Sequence, residues 1–248
     1  MSEITREKPG VKFLWSHQGL LHRVVVKAAN KVLRCIPFGI KYAIAIHFKK
    51  KTAPYSLVNG KVVVQIGAPF DTLNAGRSRG MYFSKLVGKQ GKALIIEPVP
   101  ESVVEFKKKV VAQRLDNVIV HECGAWSEPG ESHINVDLKH PATNYTDKTV
   151  DYDTERECQF EKIKIKLDTV DNIAAAHELE DVFLVSITTN WAEEEILKGM
   201  SRLIEMGVQY ICLAYGKDGE DYRELMQTMG YVSFSHDDRG VTYKRANS

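Results

Sequence analysis

The sequence predicts an α/β domain: a mostly parallel sheet with helices on both faces and a C-terminal β-hairpin, preceded by a basic helical extension. Three observations predict it. Short apolar runs rich in Val and Ile recur along the chain, as in strands covered on both faces. They alternate with segments of helical period, the pattern of parallel α/β folds. The positive charge is gathered at one end. Residues 1–52 carry eleven Lys and Arg against Glu3 and Glu7, a surplus of nine, so within a total of +2 the remainder is at −7.

The extension comes first. In GLLHRVVVKAANKVL, residues Leu21, Val24, Val25, Ala28 and Val32 share one helical face, with Arg23, Lys27 and Lys31 elsewhere. A second apolar segment runs to Phe48 and stops at HFKKK. Two readings fit residues 1–55: helices packed on the body with solvated lysines, or an arm that lies on an anionic membrane surface. No apolar run reaches the roughly 20 residues of a spanning helix. The start, MSEITREKPG, has no signal-peptide core, and Cys35, Cys123, Cys158 and Cys212 form no CxxC pair. A cytoplasmic location, peripheral to the membrane at most, and no metal site are therefore expected. With a net charge of +2 overall, a nucleic-acid partner is not expected.

The body begins near residue 56. KVVVQIG reads as the first strand, running into a glycine turn and a polar loop that carries Arg77 and Arg79. A helix follows over 80–87, then the strand GKALIIEP, a helix over 101–115, and the strand NVIVHECGAW. Residues 128–160 read as a polar excursion that can hold short strands. KIKIKL alternates cleanly, as a half-exposed strand does. A helix begins at 169, with Asp168 or Thr169 as its cap. DVFLVSI is a buried strand, AEEEILKGMSRLIEMG one helix and VQYICLAY a strand. A helix over 221–229 stops at Gly230, and YVSFSHDDRGVTYKR folds as a hairpin about Asp238–Gly240.

Ligands of open α/β sheets sit beyond the carboxyl ends of the strands. Three such ends carry chemistry. At Gln65–Asp71, Gly67 lets backbone approach a ligand; the GxGxxG spacing of a dinucleotide site is absent, which disfavours a nicotinamide oxidoreductase. Glu97 ends the apolar LIIE, where a carboxylate can accept both hydroxyls of a ribose. Cys123, Gly124 and Ala125 are small enough to admit a flat ring, and Trp126 beside them can stack or pack. Arg77 and Arg79 can clamp a carboxylate or phosphate.

The ordered segments VVVQIGA, LIIEPVPESVVEFKKKV, NVIVHECGAWSEPGES, KLDTVDNI and DVFLVSITTNWAEEEILKGM resemble the FkbM-type family of S-adenosylmethionine-dependent methyltransferases. That family reads D-x-G-A-N-x-G, E-P-x-P, N-x-A-x-S-x-x-x-G, L-D and K-I-D-V-E-G-A-E-x-x-x-L-x-G. The likeness covers roughly 61 to 200. It implies a Rossmann-like class I methyltransferase sheet of seven strands, one of them antiparallel. It also implies S-adenosyl-L-methionine as cofactor, with Gly67 and Ala68 at its methionine end, Glu97 on the ribose, and Gly124 and Ala125 at the adenine. Gln65, Asp71, Pro98, Cys123 and Ser186 fall in the same segments and are expected beside the cofactor.

Two departures stand out. Gln65 replaces the first-strand acid, with Asp71 a substitute for part of its role. Thr188 and Asn190 replace both acids of K-I-D-V-E-G. The expected reaction is O-methylation of a small molecule, glycan or lipid. Thr188, Asn190 and His121 are its catalytic candidates, His140 and Asp71 further stand-ins for a base, and Arg77, Arg79 and Trp191 the acceptor site. The alternative is a methyltransferase-like binding module that has lost transfer.

Overall fold

The computed structural model describes residues 36–137, 144–146, 160–215 and 222–246. The chain divides into two compact units, 1–41 and 42–248. The helix read at 19–33, His140, Cys35 and Cys158 lie outside the described residues.

The second apolar segment forms α1 (Phe38–Lys49). Its Tyr42 is fully buried, and a 3₁₀ turn at Tyr55–Leu57 buries Tyr55. β1 (Val62–Ile66) then enters the sheet. Where a long loop was expected, Phe70–Asn74 coils into a short helix, α2, and Ser78 caps α3 (Arg79–Leu86) by accepting from the Met81 N–H. β2 (Lys92–Glu97), α4 (Pro100–Ala112) and β3 (Val118–Glu122) follow. α4 starts at a proline, whose fixed φ and missing N–H suit a first helical position.

A second sheet interrupts the alternation. β4 (Gly124–Ala125) and β6 (Tyr145–Thr146) are short, but β5 (Gly130–Asp137) has eight residues and β7 (Phe160–Asp168) nine. The polar excursion is thus, in its first part, a full strand. β5 pairs antiparallel with β7 from Gly130↔Leu167 to Asp137↔Phe160, and the sheet order is β4-β7-β5-β6. β5 carries no strand signal in its composition, because it sets exposed polar residues among buried Ser132, Ile134, Val136 and Asp137 and so reads as a loop.

Thr169 caps α5 (Val170–Ala176), and β8 (Val182–Ile187) is the next central strand. The single helix read at 192–207 is two, α6 (Glu193–Lys198) and α7 (Ser201–Met206). The break falls at Gly199, where a Cβ would lie 2.0 Å from the Trp126 carbonyl oxygen, so two backbones meet where a continuous helix would carry a side chain. β9 (Tyr210–Ala214), α8 (Arg223–Thr228), β10 (Tyr231–His236) and β11 (Gly240–Arg245) complete the chain.

The main sheet has the order β10-β11-β9-β8-β1-β2-β3. β9, β8, β1, β2 and β3 run parallel, and β11 lies antiparallel to both its neighbours. This is the seven-stranded Rossmann-like sheet with one reversed strand that the sequence implied. The central strands fill the core: Val63, Val64, Leu94, Ile95, Ile96, Leu184 and Val185 are fully buried. Each contributes about 1.5–3 kcal/mol relative to an exposed position. α3 packs on β1 and β2, and α4 on β2 and β3. The result places the carboxyl ends of β1, β2 and β8 side by side. Among the described residues no helix is long and apolar enough to cross a membrane, and no group of three or more His, Cys, Asp or Glu could hold a metal.

Candidate functional site

β1 ends in a bend that closes on β8. Gly67 has φ +83°, a conformation side chains resist, and a Cβ on it would stand 2.3 Å from the Thr188 carbonyl oxygen. The Gly67 N–H donates to the Ile96 carbonyl (2.9 Å) and the Thr188 N–H to the Ile66 carbonyl (3.0 Å). Gln65, fully buried, ties the bend from beneath. Its amide nitrogen lies 2.8 Å from the Ile66 carbonyl, 2.9 Å from the Gly67 carbonyl and 2.7 Å from Thr188 Oγ1. A carboxylate at the same place would point oxygen at two carbonyl oxygens. The amide therefore suits this bend where the acid implied by the resemblance does not, and Gln65 and Thr188 form one matched pair.

β2 delivers Glu97, only 4% exposed. Its Oε2 accepts from the Ala68 N–H at 2.6 Å and its Oε1 from the Val99 N–H at 3.0 Å. Burial pushes its pKa up to about 7; the two N–H groups pull it down in part, and Asp71 adds to the rise. Among the described residues no cation pairs with it. Each oxygen keeps lone-pair capacity for a further donor.

Glu97 lines a cleft of about 670 Å³, part of it open to solvent. Gly67 and Thr188 form one side, Pro98, Gly124 and Ala125 another. The deep wall is apolar: Trp126, Ile134, Ile165, Leu167 and Ile196, drawn from the second sheet and α6. The acidic end and apolar wall together match a ribose and a flat base.

A second cavity of about 640 Å³, part of it open to solvent, adjoins the first and shares Gly67, Pro69, Thr188, Thr189 and Asn190 with it. Its remaining walls come from Thr72, Ser78, Arg79, Ala214 and Arg239. Between the two cavities, Asn190 Nδ2 donates to the Asn144 carbonyl at 2.6 Å. Thr189 Oγ1 donates to Glu193 Oε1 at 2.9 Å, and Tyr222 to Glu193 Oε2 at 3.2 Å. Glu193 is 1% exposed, and burial raises its pKa against those hydrogen bonds.

The fold thus brings Gly67, Glu97, Pro98, Gly124, Ala125, Thr188, Asn190 and Arg79 to the two cavities. Other candidates stand off the walls. Gln65 and Ser186 are fully buried beneath the bend, and Ala68 contributes its N–H to Glu97. Asp71, inside α2, accepts from the Thr72 N–H, 2.6 Å away, and lines neither cavity. Cys123 is a buried thiol whose pKa burial pushes up to about 11, and it lines neither cavity. Trp191 occupies the glycine position of the resemblance at φ +68°, at a backbone cost of roughly 1–2 kcal/mol, outside both walls.

A catalytic candidate, His121, and an acceptor-site candidate, Arg77, also stand apart from the cavities. His121 lies away from both cavities, its Nδ1 bonded at 2.9 Å to His177 Nε2, and burial and His177 lower its pKa. Arg77 is exposed and lines neither cavity; its N–H donates to the Thr72 carbonyl at 2.9 Å and its carbonyl accepts from Arg239 at 2.8 Å. Sequence reasoning missed Thr189, Trp126 as a wall residue, Glu193 and Arg239. The hairpin-turn Arg239 had no sequence signal; Glu193 had one, as the acid of the A-E-x-x-x-L-x-G segment.

The sequence matches no protein-family model and no curated protein. Solved structures with which it shares structural similarity include methyltransferase FkbM from Methylobacillus flagellatus, 14% identical with a TM-score of 0.48, covering 90% of this chain and 59% of that one. Sp1610 of Streptococcus pneumoniae, provisionally named a tRNA (m1A22) methyltransferase, is 13% identical at a TM-score of 0.44, over 81% of this chain and 71% of that one. Aeropyrum pernix fibrillarin with bound S-adenosyl-L-methionine is 13% identical at a TM-score of 0.40, over 82% and 74%.

Proposed function

We propose that the chain is an S-adenosylmethionine-dependent methyltransferase, acting on an oxygen of a small molecule, glycan or lipid. The observation that carries this reading is Glu97. It is a buried carboxylate without a cation among the described residues, at the end of the second strand of a seven-stranded sheet with one reversed strand, facing a cleft with an apolar floor. Such an acid is suited to two vicinal hydroxyls.

The residues present fit the cofactor. Glu97 would hold the ribose, and Gly124, Ala125 and Trp126 the adenine. The Gly67 bend would admit the chain beyond the ribose, because a Cβ there has no room. The cofactor supplies an electrophilic methyl on a sulfonium, and the protein's part is to place an acceptor in line with it and exclude water. Thr188, Thr189 and Asn190 line the junction of the two cavities and would orient that acceptor. Thr189 bonds Glu193, so a buried acid stands one hydroxyl behind the junction.

The paired change to Gln65 and Thr188 favours a second reading, a nucleoside-binding module without transfer. Calorimetry with S-adenosylhomocysteine tests the shared part: no detectable heat from folded protein would overturn both readings. Labelled methyl transfer from S-adenosylmethionine into lysate fractions separates them. Label in a glycan, lipid or small-molecule fraction supports the enzyme, label in RNA replaces the acceptor class, and no label despite binding selects the module. For residues 1–55 the basic charge suggests peripheral membrane contact. Flotation of the full chain with anionic but not neutral vesicles at low salt is the expected result, and equal flotation with both would reject it.

A further inference from the structure

We propose that the second cavity holds an anionic group of the methyl acceptor, a carboxylate or phosphate, on Arg79 and Arg239. That the anion belongs to an acceptor rests on the methyltransferase reading; the anion site itself does not.

Arg79 is 2% exposed and lines this cavity. Its Nε donates to the Tyr55 hydroxyl at 3.1 Å and its Nη2 to Asp237. Its Nη1 is buried and has no hydrogen-bond partner among the described residues. A guanidinium is always charged and carries five donors, so a buried one left incomplete is a site for an oxygen acceptor. Asp237 offsets the Arg79 charge, and its other oxygen is taken up by the N–H groups of Arg239 (2.9 Å) and Gly240 (3.1 Å).

Arg239 then supplies a second positive charge, with Asp238 beside it in the chain. Its side chain donates one hydrogen bond, to the Arg77 carbonyl, and makes no ion pair among the described residues. The cavity is also reached by the N-terminus of α3, eight residues long, through Ser78 and Arg79. The positive end of a helix favours anions there. Among the described residues the lining contains two arginines and no carboxylate, so a cation is disfavoured there. The cavity shares Gly67, Pro69, Thr188, Thr189 and Asn190 with the Glu97 cleft, and none of the apolar wall suited to a base. A group seated on Arg79 is therefore on the acceptor side of the junction.

The test uses the full chain at low ionic strength, with inorganic phosphate and acetate titrated by calorimetry. Arg79→Ala risks the fold, because Tyr55 and Asp237 lose their partner. Arg239→Ala, at a half-exposed turn, is the informative variant. Wild type should bind phosphate or acetate, and Arg239→Ala should bind about tenfold more weakly or worse, with an unchanged melting temperature. Tighter phosphate or tighter acetate tells which oxyanion the acceptor carries. Binding should persist, within about twofold, when S-adenosylhomocysteine saturates the first cleft. Equal binding by wild type and Arg239→Ala, or none at about 10 mM of either anion, overturns the site. Competition by S-adenosylhomocysteine assigns the arginines to the cofactor's own carboxylate and overturns the acceptor role. Failure of S-adenosylhomocysteine to bind at all, with phosphate binding intact, sinks the methyltransferase reading and leaves the anion site standing.

Discussion

Acidification should weaken nucleoside binding through Glu97 alone. In the free protein its pKa stands near 7, raised from 4.5 chiefly by burial. Ribose hydroxyls donate to a carboxylate, so the ligand selects the ionised form. With binding limited to that form, the apparent dissociation constant scales as 1 + 10^(pKa − pH), which makes affinity about tenfold weaker at pH 6 than at pH 8. Folding moves the other way. Because the folded-state pKa lies above the unfolded one, the native state holds the proton more tightly. The group therefore adds stability below about pH 4.5, and that stability is lost as pH rises through 7. The loss amounts to about 3 kcal/mol over that window. Calorimetry with S-adenosylhomocysteine at pH 6, 7 and 8, in buffers of different ionisation enthalpy, reads both the affinity and the proton released. Glu97→Gln should abolish the pH dependence. It should also weaken binding at every pH, since its NH₂ must face the N–H of Ala68 or Val99. A dissociation constant flat from pH 6 to 8 in folded wild type would refute the ribose role of Glu97.

Gly67→Ala should cost at least about 2 kcal/mol in urea unfolding, from the positive φ and the clash with Thr188, and should remove S-adenosylhomocysteine binding; a change below about 0.5 kcal/mol would show that the bend can relax. Thr189→Val removes a donor from buried Glu193 and should cost about 1–3 kcal/mol in urea unfolding. A cost below about 0.5 kcal/mol would show that this hydrogen bond adds little to the fold. The His121–His177 pair should destabilise the fold on acidification. A His whose folded pKa is lowered gives stability present above about 6.5 and lost as pH falls below it, so His177→Ala should flatten the pH 5–7 stability profile.

Much of this protein was written in residue order. Runs such as VVVQIG and LIIE can only be buried strands, and their alternation with helical segments leaves a parallel sheet as the outcome. Gly67 and Glu97 were legible because backbone freedom at a bend and a charge ending an apolar strand are local properties. The second sheet was not, since β5 sets exposed polar residues among its buried ones and its identity depends on KIKIKL folding back across it. Nor was Arg239. Its place opposite Arg79 exists only because β11 inserts antiparallel between β9 and β10, and the hairpin turn then carries it to the cavity. Gln65 and Thr188 look in sequence like two separate losses of acid. Only the packing of Gly67 against the Thr188 carbonyl shows them to be one hydrogen-bonded unit, because distance across a sheet is set by strand pairing and not by separation along the chain.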